Sequence, residues 1–79
     1  MLNIRFKNVE SVQRFASTAE NYKSDILIHD GKTTVDGSSI MGVLFLGLYK
    51  TFQLEFINKD PKEYEQFLKD ISTLGIIEE

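Results

Sequence analysis

The sequence predicts an α+β fold: one four-stranded antiparallel sheet with three helices on one face, in the order β-α-β-β-α-β-α. Three observations lead there. Near 2–6 and 52–56 the apolar residues alternate with polar ones, the period of a half-buried strand. Near 9–21 and 61–74 they recur at helical spacing instead. Between these stretches, Asp30-Gly31 marks a tight hairpin. Each amphipathic helix has one apolar face to bury, and a single sheet face can receive both.

Each element has a local reason. Leu2, Ile4 and Phe6 alternate with Asn3, Arg5 and Lys7, giving the first strand. Asn8 is a good N-cap, because its side chain can accept from a free backbone N–H. Val9, Val12, Phe15, Ala16 and Ala19 then form the apolar stripe of a helix over roughly 9–21. Ile26 and Ile28 point one way from a second strand, with Leu27 and His29 opposite. Asp30 and Gly31 both tolerate positive φ and make the turn. Thr33, Thr34 and Val35 are β-branched and return as the third strand.

Asp36-Gly37-Ser38-Ser39 breaks the chain, and Ser39 can cap a short helix over about 40–45. Phe52, Leu54 and Phe56 build the fourth strand, and Asn58-Lys59 is a turn. Asp60-Pro61-Lys62-Glu63 opens the last helix with an acidic cap, proline in the first turn and Glu three after the cap. Tyr64, Phe67, Leu68, Ile71 and Leu74 are its apolar face, and Gly75 is its stop. Asp60, Lys62, Glu63, Glu65, Lys69 and Asp70 are its solvated side, with Glu65 and Lys69 spaced as a favourable pair.

Composition narrows the function. At 79 residues the chain is one domain, 1–79. It has no cysteine and one histidine, which leaves few ways to assemble a nucleophile, a base or a metal site. No cofactor, no metal and no enzymatic activity are expected. The net charge of −3 argues against nucleic acid as a partner, since phosphate binders need a basic face. The longest apolar stretch, 40–49, is interrupted by Gly42 and Gly47 and is about half the ~20 residues of a membrane span. No signal peptide is visible, so a cytoplasmic protein is expected. The open sheet face and edge leave self-association as a homodimer open.

The segment Gly37-Ser38-Ser39-Ile40-Met41-Gly42-Val43-Leu44-Phe45-Leu46-Gly47 resembles the regulatory-serine segment of the HPr family, the phosphocarriers of the bacterial phosphoenolpyruvate:sugar phosphotransferase system. The element order matches that family's open-faced β-sandwich, and the similarity covers nearly the whole chain. The resemblance implies that Ser39 is the serine that a bifunctional HPr kinase/phosphatase modifies. It also implies that the short helix forms a face on which partner proteins dock. Met41, Leu44, Phe45 and Leu48 are the candidates for that face, with Tyr49 and Lys50 on its margin. Ser38 stands where the family commonly has a lysine.

One departure bears on activity. The family carries its phosphoryl group on a histidine within a Gly-x-His-Ala-Arg-Pro-Ala signature at the start of the first helix. Here that place reads Phe6-Lys7-Asn8-Val9-Glu10-Ser11. Asn8 occupies the histidine position, and Glu10 stands where an arginine would help hold the phosphate. An amide cannot carry the group, and a carboxylate repels it. His29 lies on the second strand, away from any helix N-terminus that would favour a phosphate.

The resemblance therefore implies a non-catalytic protein similar to the catabolite-repression HPr homologue that also lacks the histidine. Its expected partners are proteins, such as the kinase/phosphatase or a transcriptional regulator, and its setting is carbon catabolite regulation and sugar transport. An active phosphocarrier using His29 or another residue is the alternative, as is an interaction domain outside sugar regulation.

Overall fold

The computed structural model describes residues 1–57 and 60–78. Seven elements follow in order: β1 (Leu2–Arg5), α1 (Val9–Glu20), β2 (Asp25–Asp30), β3 (Thr33–Asp36), α2 (Ile40–Leu46), β4 (Thr51–Ile57) and α3 (Pro61–Ser72). The strands form one antiparallel sheet with spatial order β1-β4-β2-β3. This is the architecture expected from the sequence. The turn expected at Asn58-Lys59 lies outside the described residues.

Register explains why one face is apolar. Ile4 pairs with Phe52, Leu2 and Ile28 both face Leu54, and Ile26 faces Phe56. Opposed residues share a face, so these side chains line up towards the helices. The other face shows Asn3, Gln53, Leu27, Glu55 and His29. From above, α1 contributes Val12, Phe15, Ala16 and Ala19, α2 contributes Val43 and Leu46, and α3 contributes Phe67 and Ile71, all buried. Aromatic contacts connect the layers. Phe6 meets Phe15 at 5.4 Å, Phe15 meets Phe67 at 6.0 Å, and Phe67 meets Phe56 at 5.2 Å between ring centroids. Such contacts add to plain area burial, which a chain this short needs. Among the described residues no polar or charged side chain is buried.

Four local expectations are corrected. The hairpin loop is Gly31-Lys32, one residue later than read, because Asp30 still pairs with Thr33. Gly31 takes a positive φ of 59° and Lys32 does not, so only the first loop residue needs a left-handed backbone. Val9, read as core, is 46% exposed, because it sits in the first turn before α1 reaches the sheet. Leu74 lies beyond the end of α3 and packs against the core from the following turn. Glu65 and Lys69 form no ion pair, while Glu63 turns back to accept from the Ser24 hydroxyl at 2.9 Å and ties α3 to the α1–β2 loop.

The segment after α3 closes one sheet edge. The Arg5 N–H donates to Ile76 at 2.8 Å, the Glu78 N–H donates to Asn3 at 2.9 Å, and Ile77 bridges to Ile4. The Thr51 hydroxyl donates to the Glu78 carboxylate at 2.9 Å. The β1 edge is thus covered by the chain itself. The open edge is β3, only four residues long. The free edge considered from sequence for self-association is therefore limited to that short strand.

Candidate functional site

The start of α1 and the whole of α2 come together at one end of the molecule. The connection is a backbone hydrogen bond: the Tyr49 N–H, just after α2, donates to the Phe6 carbonyl, just before α1, at 2.8 Å. Tyr49 has a φ of 62°, and it is the one non-glycine residue with a positive φ among those described. For a bulky side chain this conformation is strained, at about 1–2 kcal/mol. The residue is 62% exposed. Gly47 ends α2 with a φ of 107°, a region that glycine alone enters freely.

Asn8 is the N-cap of α1. Its side-chain oxygen accepts from the Ser11 N–H at 2.8 Å, and its carbonyl accepts from the Ser11 hydroxyl at the same distance. Glu10 lies in the first helical turn, where an acid is favoured by the helix dipole. The hollow beside them, lined by Asn8, Glu10, Ser11, Arg14 and Leu74, has a volume of about 110 Å³. A small-molecule pocket usually needs at least ~300 Å³. What this end of the molecule offers is a surface.

Ser39 caps α2 as expected, its hydroxyl oxygen accepting from the Gly42 N–H at 3.1 Å. The residue is exposed, so the hydroxyl can be reached from solvent. Just before it, Asp36 accepts from both the N–H and the hydroxyl of Ser38, at 2.8 and 2.7 Å, which shapes the turn into α2.

The four face candidates divide. Met41 and Phe45 are 84% and 82% exposed, one helical turn apart on the outer side of α2. Leu44 and Leu48 are partly buried and pack against the core, so they support the helix more than they present it. Ile40 adds to the outer side, 39% exposed. Tyr49, read as marginal, stands out on this surface, and its backbone strain has no signal in the sequence pattern.

His29 is elsewhere. It lies in β2 on the outer sheet face, pinned at both ring nitrogens. Nδ1 is 2.8 Å from the Thr34 hydroxyl on β3, and Nε2 is 2.8 Å from the Glu55 carboxylate on β4. Nε2 donates to the carboxylate, which accepts, and Nδ1 is paired with the Thr34 hydroxyl. No cluster of three His, Asp or Glu that could hold a metal ion occurs among the described residues. No helix among them is long and apolar enough to cross a membrane.

Two titrating groups show clear shifts, both away from α2. The Tyr22 hydroxyl donates to Asp70. Burial, and then this hydrogen bond, pushes Tyr22 up to about 12. Hydrogen bonds from Tyr22 and then Gln66 hold Asp70 below the usual carboxylate range. The pair joins the end of α1 to α3 and is structural.

Comparison with known proteins bears on the family and the fold. The family model described as the PTS HPr component phosphorylation site matches residues 10–74. That span includes Ser39 and α2 and begins after Asn8. Among solved structures, HPr-C-His from Thermoanaerobacter tengcongensis superposes with a TM-score of 0.72 at 28% sequence identity, covering 99% of this chain and 96% of that one. No curated protein matches the chain.

Proposed function

The chain belongs to the HPr family of the phosphoenolpyruvate:sugar phosphotransferase system, and from that membership we propose that it is a regulatory member that does not carry phosphate. It docks on partner proteins through the outer side of α2, and phosphate on Ser39 switches the docking. It is a cytoplasmic binding protein with no catalytic step of its own, and its setting is carbon catabolite regulation.

The observation that carries this reading is Asn8. By alignment of motifs it takes the place of the family's reactive histidine, and its amide oxygen is already committed to the Ser11 N–H. A carboxamide has no ring nitrogen to attack phosphorus. Glu10, in the next turn position but one, adds negative charge where a phosphoryl group would arrive. The alternative acceptor, His29, has a carboxylate against Nε2 and a hydroxyl against Nδ1, so neither nitrogen faces an open approach.

Docking is supported by the shape of α2. A side chain as large as Phe45 standing 82% exposed contributes little to folding and much to a surface. Switching is supported by the exposed Ser39 hydroxyl at the helix start, where a phosphate meets free N–H groups and the positive end of the dipole.

Two incubations test the proposal. With phosphoenolpyruvate and the general phosphotransferase enzyme, no acid-labile phosphate is expected on the chain. With HPr kinase and ATP, one phosphate is expected, and it disappears in Ser39→Ala. Acid-labile label that is lost in His29→Ala would establish a phosphocarrier instead. An unmodified Ser39 would remove the switch.

A further inference from the structure

Of the seven large hydrophobic residues left exposed among the described residues, four lie within ten positions: Ile40, Met41, Phe45 and Tyr49. From Gly37 to Tyr49, thirteen residues, there is no charged side chain, although 27% of the chain is charged. We infer that this face is covered by a second copy of the chain, α2 against α2 about a two-fold axis. The inference goes beyond the docking proposal, because it names an occupant that needs no other protein.

Area is the first argument. At roughly 150–250 Å² per aromatic side chain, and with the exposures above, the four residues leave about 500 Å² of apolar surface in water. A standard interface takes about 800 Å² from each partner, and in homodimers about 65% of it is apolar. The face therefore matches the apolar share of one side of a standard dimer, with the remainder supplied by a polar rim.

Charge is the second argument. The chain has a net charge of −3, so most pairs of identical surfaces meet with like-charge repulsion. The α2 face is the long stretch that escapes it. A two-fold axis makes the contact reciprocal. Antiparallel α2 helices bring Phe45 of one copy over Met41 of the other, twice, and a thioether against an aromatic ring is a favourable pairing. The sheet edges offer less: β1 is closed by Ile76–Glu78, and β3 is four residues long.

Sedimentation velocity across about 10 μM to 1 mM, with amide NMR shifts followed on dilution, tests the inference. Wild type is expected to pass from monomer to dimer over that range, with shifts concentrated at 40–49. Phe45→Glu places a charge on the axis and is expected to weaken association at least tenfold. Because Phe45 is exposed, that variant folds, which its circular dichroism verifies; Met41→Glu is the second variant. A monomer throughout, a dimer indifferent to both variants, or shifts confined to Thr33–Asp36 would each overturn the inference. None of those outcomes touches the phosphate assays on Ser39, so the docking proposal stands or falls separately.

Discussion

Replacing residues on the two sides of α2 should separate folding from function. Phe45 and Leu46 are neighbours in sequence, one 82% exposed and the other 6%. Phe45→Ala removes a ring of roughly 200 Å², of which about a fifth is shielded, so the loss of burial is worth about 1 kcal/mol at ~25 cal/mol per Å². Alanine returns about half of that through its higher helix propensity. The net cost is about 0.5 kcal/mol. Leu46→Ala removes a buried side chain and leaves a cavity, which costs about 2–4 kcal/mol. In a domain of this size 1 kcal/mol moves Tm by about 4–8 °C, so the two variants differ by more than about 6 °C. Urea denaturation followed by circular dichroism measures both, since the chain has no tryptophan. If Phe45→Ala proves as destabilising as Leu46→Ala, the exposed ring belongs to the core and the outer face of α2 is not a binding surface.

Four other outcomes follow from particular contacts. Ser39→Ala removes the α2 cap and should cost about 1 kcal/mol in denaturation, with Ser39→Asp recovering most of it by supplying another acceptor at the same place. Gly37→Ala should cost about 1–3 kcal/mol, because a Cβ there would sit 3.0 Å from the Ile26 carbonyl oxygen and 3.2 Å from Cε2 of Phe15, and the backbone oxygen cannot move aside. Tyr22 is held neutral by the fold, with its folded value above the unfolded one. Its contribution is present below pH ~10 and is lost as pH rises through about 12; Tm measured from pH 8 to 12 should fall less steeply in Tyr22→Phe. Asp70 has the opposite sense: its lowered value means that its contribution is present above the ordinary carboxylate pKa and is lost as pH falls through the folded one.

The two periodicities made most of the fold legible in sequence. Ile26 and Ile28 face the helices because strand side chains alternate, and Phe67 and Ile71 are buried because four residues make about one helical turn. The caps at Asn8, Ser39 and Asp60 are all seated as read, since a short polar side chain before an apolar repeat has few other uses. What escaped depends on contacts between distant segments. The closure of the β1 edge by Ile76–Glu78 is set by where α3 ends relative to the sheet, which no local pattern records. The helical pattern puts Glu63 on the solvated side, yet it meets Ser24, 39 residues away. The sequence puts Tyr49 at the margin, while its left-handed backbone goes with the tie to Phe6. At the site, residue types were readable and degrees of exposure were not: Leu44 and Phe45 look alike in sequence, and only packing puts one inward and the other out.

If the same thirteen uncharged residues serve docking, switching and self-association, as proposed above, the sharing has a physical consequence. A phosphate on Ser39 brings about −1.5 to −2 charges to one end of an otherwise neutral face. Between two copies the modification would appear on both sides of the axis, adding repulsion and a desolvation cost. A separate partner that presents a lysine or arginine beside its apolar cleft meets the opposite balance, gaining a charge-assisted hydrogen bond from the same phosphate. One modification would thus move the face from its own copy to a basic partner without moving the backbone. The exposed placement of Phe45 and the strained placement of Tyr49 suit such an exchange, since both keep an aromatic residue on the surface.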